Sequence, residues 1–538
     1  MYLAAVNSTS STQPTPFLIN RNTLLLAALI FVTSLSVRLY KLDGQTLECD
    51  ELYTIPAATG HQYVYLSHEA NAAPTIIPAT THEYKNLLEP EAGFGLSAVT
   101  AVLKRNVHLP AYFYLMHYWM ELFGNSEFAL RLPAAIFGAL AAFMLFFLGK
   151  ELFGLLPGVV SALLMALSPE QIYFSQQARM YSLLALLAIS STYTLVLTGK
   201  RLESSWLYFW YALVSVAGLY THYEYAFCFA AQIAYVWLGS PLGRQKRTRW
   251  LITHSSIAVA FLPWVFITLT QKANSPEIIA WVNGSLTSNL ILTEVVTKIA
   301  RLISVPELPL GWLSVIVASA LLVYGAVSIR SDRAKLFLIL SWIAFPIAGV
   351  VLMDKLLGTR GITITRYWLI VGAPLYLLIS VGVQRIRKQP VKIALIAALV
   401  GFMFSAALLT ARGELRGKPD RHKEMALYVD SLIARAPDQV VIAEGLNSIP
   451  LALAYYGERD MNVLRFKWIT DQLKQRSFPD IIGHRNEVLL LVSGQSQAAK
   501  LLTENGFHLD TQPVLYGHVT IAKYVQQGKL PAGRSPTQ

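Results

Sequence analysis

Long apolar runs separated by short polar connections make up the first three quarters of the chain. A helix needs about 20 apolar residues to cross the hydrocarbon core of a bilayer, so these runs predict a polytopic α-helical membrane protein. We predict about eleven spans, at 22–40, 132–149, 156–172, 180–198, 206–220, 223–240, 250–270, 310–329, 335–353, 367–384 and 391–411.

Basic residues fall in every second connection, which is the pattern of a membrane protein that keeps its positive loops in the cytoplasm. The alternation holds only if 109–123, which is aromatic and interrupted by His117 and Glu121, lies at the membrane surface instead of crossing it. It predicts a cytoplasmic tail at 1–21 and a transmembrane domain at 22–411. The basic connections contain Lys150; Lys200 and Arg201; Arg244, Lys246, Arg247 and Arg249; Arg330, Arg333 and Lys335; and Arg385, Arg387, Lys388 and Lys392.

The composition changes after about residue 412, where charged residues become frequent. Strand-like runs at 439–443 and 487–493 alternate with helical patterns at 422–435 and 496–506. This alternation predicts a small α/β domain over 412–538. After eleven spans that domain lies outside the cytoplasm.

Composition excludes several classes of protein. The chain has 538 residues, of which 54% are hydrophobic and only 14% are charged, against about 25% charged in soluble domains. The net charge of +12 would suit nucleic acid, but its position between apolar runs fits membrane lipids instead, so we predict no nucleic-acid partner. Two cysteines cannot form a disulfide framework. The sequence also lacks a phosphate-binding glycine loop and any recognisable metal-ligand spacing.

Polar side chains gather in the connections that we predict to be outside. Asp50 and Glu51 follow the first span, and Arg179 follows the third. Taken singly, these residues fit a solvated carboxylate pair and an arginine that reaches lipid headgroups. Together they fit a reactive site built from converging loops, in which arginine binds phosphate. The same face holds His108, His222, Glu224 and the pair Arg366–Tyr367.

The order of these motifs resembles the family 39-like membrane glycosyltransferases of the GT-C fold. Relatives in that group are the protein O-mannosyltransferases and the lipid A aminoarabinose transferases. Two features depart from the family pattern: Leu109 stands where many members have proline, and the insertion at 66–105 has no clear counterpart. The resemblance covers about 20–411 and rests on Leu47-Glu48-Cys49-Asp50-Glu51, His108-Leu109-Pro110-Ala111-Tyr112, Leu122-Phe123-Gly124, Phe128-Ala129-Leu130-Arg131-Leu132-Pro133, Ser175-Gln176-Gln177-Ala178-Arg179-Met180-Tyr181, Thr221-His222-Tyr223 and Arg366-Tyr367.

The resemblance implies an inverting transfer of a sugar from a polyprenyl-phosphate donor to a protein, lipid or glycan acceptor. It implies that Asp50 is the general base and that Glu51 orients a substrate, although the two roles could be exchanged. Arg179 and Arg366 would bind the phosphate, so no metal or other cofactor is expected. The family's distribution suggests a bacterial inner membrane with an extracytoplasmic site. The remaining predicted substrate-binding residues are His108, Tyr181, His222 and Tyr367.

Two other functions are compatible with a chain of this type. A transporter or flippase of a lipid-linked substrate would also hold polar residues at membrane depth, but it should show paired, pseudo-symmetric halves, and the sequence has no such repeat. A membrane anchor for the C-terminal domain would need far fewer than eleven spans. Neither alternative explains why the polar residues gather at one face.

Overall fold

The computed structural model describes residues 20–61, 80–90, 95–240, 244–274, 282–415, 421–445, 448–474, 476–483, 485–493 and 495–526. The predicted tail and part of the 66–105 insertion lie outside these ranges. Within the ranges, the membrane part is helical. Its helices are α1 (Arg21–Leu39), α2 (Cys49–Thr59), α3 (Thr81–Asn86), α4 (Leu96–Lys104), α5 (Pro110–Phe123), α6 (Glu127–Phe153), α7 (Leu155–Leu167), α8 (Pro169–Ser175), α9 (Tyr181–Lys200), α10 (Ser205–Leu219), α11 (Tyr225–Ala234, continued by a π-helical turn over Tyr235–Gly239), α12 (Arg244–Asn274), α13 (Ser288–Ile303), α14 (Gly311–Ser328), α15 (Arg333–Leu357), α16 (Leu369–Gln384) and α17 (Gln389–Ala411).

Each of the eleven predicted spans coincides with a helix or a helix pair. In the described part of the chain, eight helices are long and apolar enough to cross a membrane: α1, α6, α9, α12, α14, α15, α17 and α16 with the turn before it. The bent pair α7 and α8 is a ninth candidate, and α10 and α11 are shorter apolar helices. The polytopic helical class is therefore confirmed. The surface position of α5 remains a prediction.

The predicted span at 156–172 is not one straight helix. α7 and α8 meet at a 57° bend. Ser168 between them is extended, with φ −62° and ψ 122°, because a residue before proline avoids the helical region and Pro169 cannot donate a backbone hydrogen bond. α8 continues to Ser175, beyond residue 172 where we predicted this span to end, so it enters the predicted connection 173–179.

α16 forms the centre of the bundle, and almost all its residues are buried. It packs against α7, α9, α14 and α15. α16 and α14 approach each other closely at Gly382, where a Cβ would overlap the carbonyl oxygen of Leu321. Small residues allow this approach between membrane helices, which associate by close packing. The helix that follows Arg366 is thereby fixed in place.

The C-terminal part is a six-stranded mixed sheet with helices, as the sequence predicted. Strand order is β2-β1-β3-β6-β4, and β5 also pairs with β6. β1 runs parallel to β2 and β3, whereas β6 runs antiparallel to β3. The strands are β1 (Val440–Glu444), β2 (Asn462–Arg465), β3 (Glu487–Val492), β4 (Phe507–Leu509), β5 (Val514–Tyr516) and β6 (Val519–Gln526), and the helices are α18 (His422–Arg435), α19 (Ser448–Tyr456), α20 (Phe466–Gln472), α21 (Phe478–Ile482) and α22 (Gln497–Glu504).

This C-terminal unit packs against the end of the bundle that carries α2 and α3. Thr80 forms an isolated antiparallel bridge with Asn462, the first residue of β2. Next to it, the Thr81 hydroxyl and the His82 backbone N–H both donate to Asp460 Oδ1, at 3.1 and 2.8 Å. The unit therefore lies at the same end of the molecule as Asp50.

Candidate active site

α2 begins with a capping box that places two carboxylates in its first turn. The Glu48 side chain accepts from the N3 backbone N–H, and the Glu51 side chain accepts from the Glu48 N–H. Asp50 lies between them in the same turn, where the positive end of the helix dipole favours carboxylates. The helix start thus fixes the backbone of both predicted catalytic residues.

Glu51 is fully enclosed, with 1% of its side chain exposed. Arg131 forms two parallel bonds to it, from Nε to Oε1 at 2.8 Å and from Nη2 to Oε2 at 2.7 Å. The Ala178 N–H donates to Oε1 at 2.8 Å, and the Glu48 N–H donates to Oε2 at 2.9 Å. Each oxygen therefore has two donors, which joins α2 to α6 and to the connection after α8.

Asp50 is the more open carboxylate, with 35% of its side chain exposed. Its Oδ2 accepts from Arg366 Nη1 at 2.9 Å. Arg366 is 22% exposed and lies immediately before α16. The structure thus joins two predicted site residues that are 316 positions apart in the chain.

Arg179 lies on the other side of the α2 backbone and is 3% exposed. Its Nη1 donates to the Asp50 carbonyl oxygen at 3.2 Å and to Thr54 Oγ1 at 3.0 Å. Its Nη2 donates to His108 Nε2 at 3.2 Å. Two guanidinium groups therefore flank Asp50, one at its carboxylate and one at its backbone.

Aromatic rings line the space between the guanidinium groups. The Tyr181 ring centroid lies 5.9 Å from Arg179 Cζ and 5.8 Å from Arg366 Cζ, which is within cation–π range. His222 contacts both Tyr181 and Tyr367, with ring centroids 5.7 Å apart in each pair. Seven of the eight predicted site residues therefore belong to one connected cluster, while the Glu51 side chain lies in the adjoining junction with Arg131.

The two histidines of the cluster are neutral. Burial and the neighbouring arginines lower the pKa of His108 well below its ordinary value. Burial, Arg366 and Arg179 lower the pKa of His222 to about 3. His108 accepts from Arg179 through Nε2, and His222 Nδ1 accepts from the Glu224 N–H at 3.2 Å. The cluster's positive charge therefore comes from its guanidinium groups.

The turn that carries Arg366 is held by a buried aspartate at the end of α15. Asp354 accepts from the backbone N–H groups of Gly361 and Ile362, at 2.6 and 2.8 Å, and from the Thr359 hydroxyl at 2.6 Å. Such charge-assisted bonds order a short loop strongly. The connection that carries Arg366 is thus anchored to the C-terminal end of α15.

Two further residues near the cluster, Arg131 and Lys298, were not predicted to be site residues, and Glu224 was predicted only to lie on the same face. Arg131 was visible only as part of the motif 128–133. Lys298, buried on α13, donates to Thr365 Oγ1 at 3.0 Å, next to Arg366. Glu224 is 7% exposed, and burial together with Asp354 raises its pKa to about 8. Only the tertiary contacts show what Arg131 and Lys298 bind, since their sequence neighbourhoods are ordinary.

Metal-binding side chains do not cluster in the described residues. No group of three or more histidine, cysteine, aspartate or glutamate residues there could hold a metal ion.

Comparison with known proteins adds a family match and a shared fold. Residues 107–267 match the family described as dolichyl-phosphate-mannose-protein mannosyltransferase. That segment contains His108, Arg131, Arg179, Tyr181 and His222. Comparison with curated protein sequences gives no match.

Solved structures of three proteins share the architecture. ArnT from Cupriavidus metallidurans aligns with TM-score 0.59 and 12% identity over 93% of this chain and 98% of its own; a second ArnT structure contains undecaprenyl phosphate. Archaeoglobus fulgidus AglB, in complex with an inhibitory peptide and a dolichol-phosphate, aligns with TM-score 0.50 and 10% identity over 87% of this chain and 69% of its own. Mycobacterial arabinofuranosyltransferase AftD aligns with TM-score 0.51 and 14% identity over 95% of this chain and 40% of its own. The predicted GT-C fold is confirmed.

Proposed function

We propose that this GT-C membrane protein, which is similar to the family 39 glycosyltransferases, transfers a sugar from a polyprenyl-phosphate carrier to an acceptor hydroxyl or similar group, with inversion. The observation that carries the proposal is the position of Asp50, whose carboxylate accepts from Arg366 and whose backbone carbonyl oxygen accepts from Arg179. It provides a proton acceptor and a phosphate-binding charge at one end of the bundle. The undecaprenyl phosphate bound by ArnT and the dolichol-phosphate bound by AglB support a lipid-phosphate donor.

Asp50 acts as the general base. The acceptor oxygen attacks the anomeric carbon while Asp50 takes its proton, and the bond between that carbon and the phosphate oxygen breaks. The products are the glycosylated acceptor, protonated Asp50 and the polyprenyl phosphate, which later receives the proton through solvent. Asp50 is better suited to this role than Glu51, because the Asp50 carboxylate is partly exposed and the Glu51 carboxylate is buried.

Arg179 and Arg366 stabilise the leaving phosphate. The donor is a phosphodiester with one negative charge, and the departing monoester carries a second charge as the bond breaks. Guanidinium groups already held in place meet that charge without reorganisation. Because His108 and His222 are neutral, they serve as hydrogen-bonding and packing groups around the donor, and Tyr181 and Tyr367 line the same space.

Glu51 serves position rather than proton transfer. Its four hydrogen bonds hold the helix start, the connection after α8 and α6 together. A carboxylate so saturated has no free lone pair aimed at a substrate. This geometry supports the assignment of the base to Asp50 and of the positioning role to Glu51.

The membrane orientation follows from the charges and the site. Basic connections lie at the cytoplasmic side, so the site and the C-terminal domain, taken as 412–538, lie on the extracytoplasmic side. A bacterial inner membrane is the proposed location. Acceptors reaching this face include proteins, glycolipids and cell-surface glycans.

A transfer assay tests the function. Purified protein is incubated with radiolabelled polyprenyl-phosphate sugars and total membrane extract as the acceptor source. We expect wild-type protein to label a new species, and Asp50→Asn and Arg179→Ala to leave it unlabelled. Asp438→Asn, the same type of change at an exposed position of the C-terminal unit, is the matched control.

The outcomes separate the function from the residue assignment. Failure of folded wild-type protein to transfer any tested sugar contradicts the glycosyltransferase proposal. Full transfer by Asp50→Asn leaves the reaction in place but removes Asp50 as its base.

A further inference from the structure

The C-terminal unit contacts the segment Leu42–Glu48, which connects α1 to α2 and is named here the lead-in segment. The Leu47 N–H donates to the Tyr456 hydroxyl at 2.7 Å, and His422 Nδ1 donates to the Leu47 carbonyl oxygen at 2.9 Å. The Lys423 N–H donates to Thr46 Oγ1 at 3.1 Å. Both backbone polar groups of Leu47 are therefore bound by the C-terminal unit.

The membrane part binds the same segment from its other side. Arg131 Nη1 donates to the carbonyl oxygens of Leu42 and Gln45, at 3.0 and 2.7 Å. Its Nη2 donates to the Thr46 carbonyl oxygen at 2.9 Å. Arg131 is thus shared between the lead-in segment and Glu51, so the path of the chain into α2 is fixed from both sides.

Tyr456 is itself oriented at the junction. Its hydroxyl donates to Glu127 Oε1 at 2.7 Å, and Lys423 Nζ lies 3.4 Å from Glu127 Oε2. Burial raises the pKa of Tyr456, so the hydroxyl keeps its proton and can donate to Glu127 while accepting from Leu47. The helix that ends at Tyr456, α19, also packs directly on α2.

These contacts end three residues before the proposed base. Leu47 is followed by the capping residue Glu48, Cys49 and then Asp50, so the backbone at Leu47 sets where the first turn of α2 begins. Displacement of a reacting group by about 1 Å can lower a rate by about a hundredfold. A bond at Leu47 therefore governs the placement of Asp50 relative to Arg366.

We propose that Tyr456 of the C-terminal unit is a positioning residue for the transfer reaction, holding Asp50 in register through its hydrogen bond to Leu47. This inference rests on the proposed function. It gives the C-terminal unit a part in the catalytic centre itself, in addition to any contact with an acceptor.

The matched pair Tyr456→Phe and Tyr455→Phe tests the inference in the full-length protein. Both changes remove one hydrogen-bonded tyrosine hydroxyl from α19. The Tyr455 hydroxyl, however, donates to the Asn125 carbonyl oxygen at 2.7 Å, away from the lead-in segment. We expect Tyr456→Phe to lower kcat about tenfold or more while KM for the donor changes less than about twofold. Tyr455→Phe keeps the wild-type kcat.

Hydrogen exchange gives a readout that does not depend on activity. Amides of the lead-in segment should exchange faster in Tyr456→Phe and at the wild-type rate in Tyr455→Phe. If Tyr456→Phe does not fold, Glu127→Ala provides a second test, because it removes the acceptor of the Tyr456 hydroxyl. We expect Glu127→Ala to lower kcat about threefold.

Each outcome bears on one statement. An inactive wild-type protein contradicts the proposed function, while the exchange data still report on the lead-in segment. Equal kcat values in wild type and folded Tyr456→Phe overturn the positioning role. Equal losses in Tyr456→Phe and Tyr455→Phe also overturn it, because they indicate a general weakening of the junction.

Discussion

Asp50 and Glu51 are neighbours in the sequence, yet their carboxylates lie in opposite surroundings. Glu51 points into a closed junction where Arg131 and two backbone N–H groups satisfy both oxygens. Asp50 points toward an open space beside Arg366. One helix turn therefore separates a structural anchor from the proposed base, because successive side chains of a helix face directions about 100° apart.

The sharpest test of that difference compares Asp50→Asn with Glu51→Gln. We expect Asp50→Asn to lower kcat about a thousandfold with unchanged thermal stability, since a general base contributes about 10²- to 10⁴-fold. Glu51→Gln should lower thermal stability instead and leave measurable turnover in the folded fraction. Reversed results would exchange the two roles.

Removing the partner of the anchor gives the next largest effect. Arg131→Met leaves the Glu51 carboxylate buried without its bidentate partner, which should cost about 3–5 kcal/mol of unfolding free energy. Thermal denaturation in detergent measures it. Adding Glu51→Gln to Arg131→Met should recover part of the loss, whereas independent, additive losses would contradict the coupling between the two residues.

The open side can be tested at its guanidinium groups. Arg179→Lys and Arg366→Lys keep the charge but lose the planar set of donors, so we expect kcat to fall about 10- to 100-fold. Arg179→Lys should be the more damaging change, because Arg179 also binds Thr54 and His108. Arg360→Lys, exposed on the same turn as Arg366, is the control. Unchanged kcat in both site variants would remove the arginines from phosphate stabilisation.

The smallest effect concerns Glu224, a carboxyl behind the cluster. Burial raises its pKa to about 8, so between its unfolded value near 4.5 and 8 the folded state holds a proton that the unfolded state has lost. Its contribution to stability therefore falls as pH rises, by about 1 kcal/mol per pH unit. Glu224→Gln should flatten the dependence of the melting temperature on pH between 5 and 8. An unchanged slope would contradict the raised pKa.

Much of the fold could be predicted because membrane-spanning length and loop charge are local signals. The helical class, the run at 422–435 and the strand cores near 440 and 488 were predicted for that reason. A strand of three residues, such as β4, is too short to show an alternation of apolar and polar positions. β4 is also largely exposed. Pro169 is compatible with a helix break at Ser168, but the long apolar run over 156–172 led to the prediction of one continuous span.

The sequence allowed a prediction of which side chains lie near one another, but not of what each of them contacts. The site residues stood out because polar groups at predicted membrane ends are costly unless used. Which carboxylate is saturated depends on Arg131, 80 positions from Glu51, and no local pattern encodes that pairing. The same holds for Tyr456, whose neighbour Tyr455 has an equally ordinary context.

The bond between Thr81 and Asp460 spans 379 positions, and that between Leu47 and His422 spans 375. At about 5–20 residues per second, the ribosome adds the later partner about 20 to 75 s after the earlier one. Leu47 and Thr81 therefore lack these bonds until residues 422 and 460 have been synthesised. A chain that is still being synthesised therefore lacks the Leu47 contacts that we propose position Asp50.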